Sequence, residues 1–379
     1  MTKKSPILAV VLGVAVLAVA YSRTSPRSPE ALKEALSAYD KNPTADNAKI
    51  VDAVAGQKDA AVSRLFWYTD LDQALAAAKA SGRPVLSLRL LGKLDEDLSC
   101  ANSRFFRTTL YANQQIAAYL RENYVLHWES VRPAPVLTVD YGDGRKIVTT
   151  ITGNSIHYVL TPDGDIADAL PGLYSPGRFL ELIKEADTAS RKATHDRVDR
   201  FASLAKVGPP VKVIGASARP DAAPASKPPA AGRAADIART KVTIERPTVH
   251  VFSRSIDRYA GRWRILPAAV EAVKFDDASL ELMRKKMPAD TTKSDMLEML
   301  NTLRRTMLED QMLNEFELRP RIMAQLAAVP DVSLKDLNNW VYTNVFETPG
   351  NDPWIGLKAD AFNGVENGGL VVPAQSAAR

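Results

Sequence analysis

The chain has 379 residues and carries 49 Lys and Arg against 44 Asp and Glu, a net charge of +5. The two signs are interspersed, and no zinc finger, RNP-type aromatic strand or basic helix is present, so nucleic-acid binding is excluded as the reading of that excess. A single cysteine excludes an intramolecular disulfide, and four scattered histidines without ligand spacing leave no cofactor or metal to expect.

Residues 1–21 open with Lys3 and Lys4 and continue into the apolar run Ile7–Ala20, ILAVVLGVAVLAVA. Ala18-Val19-Ala20 has the small-x-small pattern of a signal-peptidase site. The run is shorter than the ~20 residues that span a bilayer with ease. It predicts export, either cleaved after Ala20 or kept as a single inner-membrane tether. A periplasmic or otherwise extracytoplasmic location follows, secreted or tethered through residues 7–21. Residues 22–65 read as a tether with short helices at 29–39 and 45–55.

Residues 66–186 are dense in both helical and strand periodicity and form the expected first domain. Helical spacing over 71–80 ends at Ser81-Gly82. A buried strand is expected over 84–90, then a loop from Gly92 to Ser99, then a helix that Cys100 precedes. A second helix over 114–123 leads into a strand over 124–131. Strands over 156–160 and 166–170 flank the turn Thr161-Pro162-Asp163-Gly164, and a helix over 175–186 closes the unit. The order describes a small mixed sheet covered by helices, an α/β fold. Residues 187–206 read as a charged continuation of that helix. The Pro- and Ala-rich stretch 208–232 reads as a linker within the segment 187–235. Residues 236–379 read as mainly helical. A weak strand or helix edge is expected over 241–254, and helices over 279–287, 293–329 and 334–346. Flexible linkage between the two regions is the default expectation. The Met- and Leu-rich helices after Lys293 are read as core in preference to a partner surface.

Three motifs sharpen the fold. DLDQALAAAKASGRPVLSL follows Phe66-Trp67. Cys100, Ile116 and Tyr124-Val125 keep a gapless register. IHYVLTPDGDIADALPGLYSP follows later. Together they resemble the bacterial thioredoxin family, the DUF255-like group, over about a third of the chain. The resemblance implies a thioredoxin-like mixed sheet flanked by helices. It also implies a Cys-x-x-Cys position in which Ser103 stands where the second, resolving cysteine would be, and a cis-proline position held by Ser155. Further departures are an insertion over 94–99, a second over 132–154 carrying a hairpin around Gly142-Asp143-Gly144, and the absence of any thioredoxin counterpart after Gly232. Asp352 to Leu357 reads as a docking or closing motif.

A thiol at a helix start gains from the helix dipole and unpaired N–H groups. Ser103 cannot resolve a mixed disulfide, so dithiol reductase chemistry is excluded. Two readings stand. In the preferred one the protein is a cell-envelope interaction or assembly module with a protein partner, built on a thioredoxin-like scaffold with Cys100 inert. In the other, Cys100 is the nucleophile of a monothiol thiol–disulfide oxidoreductase or isomerase that works on glutathione or a protein thiol, in an exposed setting of small polar residues. Acidic Glu96 and Asp97 near it would oppose activation. His127 and His157 are read as hydrogen-bonded strand histidines ahead of catalytic bases. Gly142 to Lys146 is read as a hairpin turn ahead of a phosphate loop.

Overall fold

The fold was obtained as a computed structural model that describes residues 27–150, 153–207, 267–353, 355 and 366. The apolar run Ile7–Ala20, the linker 208–232 and the segment 241–254 lie outside them. Among the described residues no helix is long and apolar enough to cross a membrane.

Two helices begin the described chain. Helix α1, Pro29–Lys41, starts with Pro29 in its first turn, where the missing N–H costs nothing, and the Ser28 side chain accepts from the Ala31 N–H. Helix α2, Ala45–Ala55, is capped by Thr44 and stopped by Gly56 at φ 67°. With the single turn α3, Ala60–Ser63, they enclose a small apolar cluster of Leu32, Leu36, Val51 and Val54. This segment is more than a tether. Trp67 donates its indole N–H to Gln57 Oε1 at 2.8 Å and Trp128 donates to the Gly56 carbonyl at 2.7 Å, which pins the helices to the sheet.

The sheet has five strands. They are β1 (Trp67–Tyr68), β2 (Val85–Leu91), β3 (Val125–Arg132), β6 (Ile156–Leu160) and β7 (Ile166–Pro171). Their order is β1-β3-β2-β6-β7. The first three are mutually parallel, and β6 and β7 continue the sheet antiparallel. All seven residues of β2 are buried, as a central strand covered on both faces requires. Helix α4, Leu71–Ser81, connects β1 to β2 and ends at Gly82 in the left-handed region. Helix α5, Ala101–Phe105, widens into a π-type turn over Phe106–Leu110 and is followed by α6, Gln114–Asn123. Between β3 and β6 stands the expected hairpin, β4 (Val136–Asp140) paired with β5 (Lys146–Thr150).

Helix α7, Pro176–Ser190, follows β7. The single charged helix expected through residue 206 is broken. The chain turns at residues 191–193, and α8, Thr194–Ala205, sets off separately. The turn is held by Arg197, which donates to the Lys192 carbonyl and to Asp165, each at 2.9 Å. It directs Phe201, 2% exposed, into the main core.

The described part of the C-terminal region is mainly helical, as expected. It comprises α9 (Pro267–Ala272), α10 (Asp277–Lys286), α11 (Lys293–Leu313), α12 (Arg319–Ala328) and α13 (Leu334–Trp340). A π-type turn over Asn314–Leu318 joins α11 to α12, and another over Val341–Val345 extends α13. The region is not a separately cored body flexibly linked to the first. Met307, Ile322, Met323, Val341 and Val345 are fully buried in one apolar cluster with Leu86, Leu88 and Leu170 of the sheet. Polar ties reinforce the seam. Leu173 donates its N–H to Asp310 at 2.7 Å, Asn314 donates to the Leu173 carbonyl at 2.9 Å, and Tyr158 donates to Asn338 at 3.3 Å.

Candidate functional site: Cys100 beneath the C-terminal segment

Strand β2 ends at Leu91, and the loop after it returns to place Cys100 at the N-cap of α5, with its N–H donated to the Leu91 carbonyl at 3.0 Å. The loop is fastened from inside by Arg107, 3% exposed, whose guanidinium donates to the carbonyls of Leu94 and Glu96 at 3.2 and 2.6 Å. Burial pushes that guanidinium below its usual value, and Asp59 and Asp97 act against the shift. The sequence insertion over 94–99 is thus an ordered, internally anchored part of the site.

The three residues singled out in the sequence lie in one neighbourhood. Ser103 Oγ donates to the Cys100 carbonyl at 2.8 Å and shares a hydrogen bond with the Ser99 hydroxyl at 2.6 Å. It staples the first turn of α5. Asn102 Nδ2 donates to Ser155 Oγ at 2.9 Å, which joins the Cys100 helix to the start of β6. The described peptide bonds, that at Ser155 included, are all trans. None of the three is exposed: Cys100, Ser103 and Ser155 each have 0% accessibility. The open setting expected for a nucleophile at Cys100 is therefore absent from this conformation.

The C-terminal segment is tied to the chain next to Ser155, a connection that no local sequence signal marks. Tyr342 donates its hydroxyl to the Asn154 carbonyl at 3.0 Å, and Asn154 Nδ2 donates to Thr348 Oγ1 at 3.1 Å. Farther along, Arg132 at the end of β3 donates to the Asp352 carbonyl at 2.7 Å. Of the stretch Asp352 to Leu357, in which residues 354, 356 and 357 lie outside the described ones, Asp352 meets the first region through its backbone carbonyl. Thr150 adds a bond to the Ser99 carbonyl at 2.7 Å. Burial, and secondarily Cys100, push the Tyr111 and Tyr342 phenols well above their usual value.

The two strand histidines serve the interior. His127 Nδ1 meets Ser87 Oγ at 2.9 Å between β3 and β2. His157 Nε2 meets the Tyr111 hydroxyl at 2.7 Å. Burial lowers both imidazoles to about 3, so both are neutral at physiological pH. Glu96 pairs with Lys93 and Asp97 lies near Lys58, so both carboxylates face basic partners on the surface. Gly142 and Gly144, at φ 76° and 93°, serve the hairpin turn. Among the described residues no cluster of His, Cys, Asp and Glu has the arrangement of a metal site.

The chain matches no protein-family model, no curated protein and no solved structure. Its function therefore rests on its own geometry.

Proposed function

We propose that the chain is a non-canonical thioredoxin-like protein of the cell envelope that acts as an interaction or assembly module, without dithiol redox chemistry. Three features support the thioredoxin-like part. Three parallel strands are extended by an antiparallel pair, a helix begins at Cys100 directly after the central strand, and a closing helix follows the last strand. The export reading rests on the run Ile7–Ala20.

One contrast carries the functional part. The cysteine is sealed in the core, whereas the hairpin β4–β5 projects apolar side chains into solvent. Val136, Tyr141 and Val148 are 53, 53 and 48% exposed. Among the described residues the two strands pair only with each other, and outer edges with an apolar surface offer a partner both backbone pairing and anchoring contacts.

A photo-crosslinker placed at Tyr141 in the full chain tests this in cells. It should trap a discrete protein partner, equally in wild type and Cys100→Ala, and Val148→Glu should abolish trapping. Mixed disulfides trapped on Cys100, and lost in Cys100→Ala, would instead support monothiol exchange.

A further inference from the structure

A second concavity lies away from Cys100, at the seam between the small N-terminal cluster and the main core. It encloses about 770 Å³ between α1, the entry to β1 and the end of α6, a volume in the range of small-molecule sites. Its walls are apolar in their depths: Leu32 and Leu36 from α1 face Leu65, Leu120 and Leu126. These side chains belong to two different clusters, Leu32 and Leu36 to one and the other three to the main core. Among the described residues the seam is therefore incompletely filled.

The rim has the opposite character. Lys33, Lys41, Arg64, Arg83 and Arg121 line it, and Asp40 is the single carboxylate among the described lining residues. Asp40 is already committed to Arg64, with two bonds at 2.5 and 3.0 Å. Arg83 donates to the Arg121 carbonyl at 3.0 Å, and Arg121 donates to the Ser63 carbonyl at 2.7 Å. Carbonyl partners orient the two guanidiniums. Burial, and next the neighbouring Arg64, push Arg121 below its usual value, with Glu122 acting against the shift. Cations crowded at the mouth of an apolar cleft favour an occupant that is anionic at one end and apolar along its length.

We infer that this cleft binds an anionic amphiphile with a single acyl chain, its carboxylate or phosphate among the basic side chains and its chain against the leucines. The guanidinium forks of Arg83 and Arg121 suit an oxyanion headgroup better than a hydroxyl or amine.

The test is calorimetric titration of the full chain with dodecanoate and with dodecyltrimethylammonium, which has the same chain and the opposite charge. Dodecanoate should bind at one site, at least about tenfold more tightly than the cation. Lys33→Glu/Lys41→Glu changes two exposed side chains without touching the core, and should weaken dodecanoate by about tenfold. Leu36→Glu should abolish the site. Equal affinity for the two headgroups, no binding, or binding of dodecanoate unchanged in the charge-reversed variant would overturn the inference. The last result would place the ligand elsewhere, as on the apolar run Ile7–Ala20.

Discussion

Arg319 donates to both carboxylate oxygens of Asp168, each at 2.9 Å, across 151 residues of chain and with both side chains buried. Arg200 from α8 adds a third bond to Asp168 at 2.6 Å. The pair joins the start of α12 to β7, where the C-terminal region meets the sheet. Burial raises the Asp168 carboxyl, but Arg319 and Arg200 more than offset this and hold it below the usual carboxylate range. Replacing Arg319 with Met leaves a buried carboxylate with one guanidinium in place of two, and should cost about 3 kcal/mol in urea unfolding. The double variant Asp168→Leu/Arg319→Met should be less destabilised than Arg319→Met alone, because the charge it leaves without its partner is Arg200, which is 23% exposed, and not the fully buried carboxylate.

The buried histidines give the stability a defined pH dependence. In the folded chain His127 and His157 titrate at about 3, whereas an unfolded imidazole titrates near ~6.5. Between those values the unfolded chain binds more protons, so stability is complete above the unfolded value and falls as pH drops below it. Each histidine should contribute a slope of about 1.4 kcal/mol per pH unit in that window. Urea midpoints measured from pH 7 to pH 4 should fall continuously, and His127→Gln should reduce the slope by about half. Asp168, whose folded value is depressed, adds its own loss only as the pH falls below the usual carboxylate value.

The shared core predicts that residues 27–207 do not fold alone. Such a fragment keeps every described strand but exposes the sheet surface that Met307, Ile322 and Val341 cover in the full chain. It should bind hydrophobic dye and unfold without a cooperative transition, while the full chain unfolds as one unit. Within the full chain, Ile322→Ala should cost about 2–5 kcal/mol, the range for emptying a well-packed site.

The elements themselves were largely legible, because their signals are local. The α2 and α6 helices match the expected spans of 45–55 and 114–123, and Gly82 stops α4 where a left-handed residue is needed. The hairpin was marked by its Gly-Asp-Gly turn. The break at residues 191–193 was not legible. It depends on Arg197 reaching Asp165 and on Phe201 seeking a core supplied by α12, and neither partner is near in sequence. At the site, the closeness of Ser103 to Cys100 follows from their spacing on one helical turn, whereas Ser155 is linked to them only by the family resemblance. Their burial was not legible, because they lie in a core to which the C-terminal segment contributes, with Tyr342 and Thr348 bound to Asn154 from 188 and 194 residues away. A tyrosine at residue 342 within a helical pattern carries no mark of that role.

The central claim is that Cys100 is a sealed part of the scaffold and not a working thiol. Alkylation of the full chain, followed by mass from pH 6 to 10 with and without urea, tests it most directly. Reaction should be at least about a thousandfold slower in the folded chain than in urea, since access requires an opening that costs several kcal/mol, and Tyr342→Phe should speed it. Rapid labelling of the folded chain, with a rate that already levels off well below the free-thiol value of ~8.5, would contradict the claim.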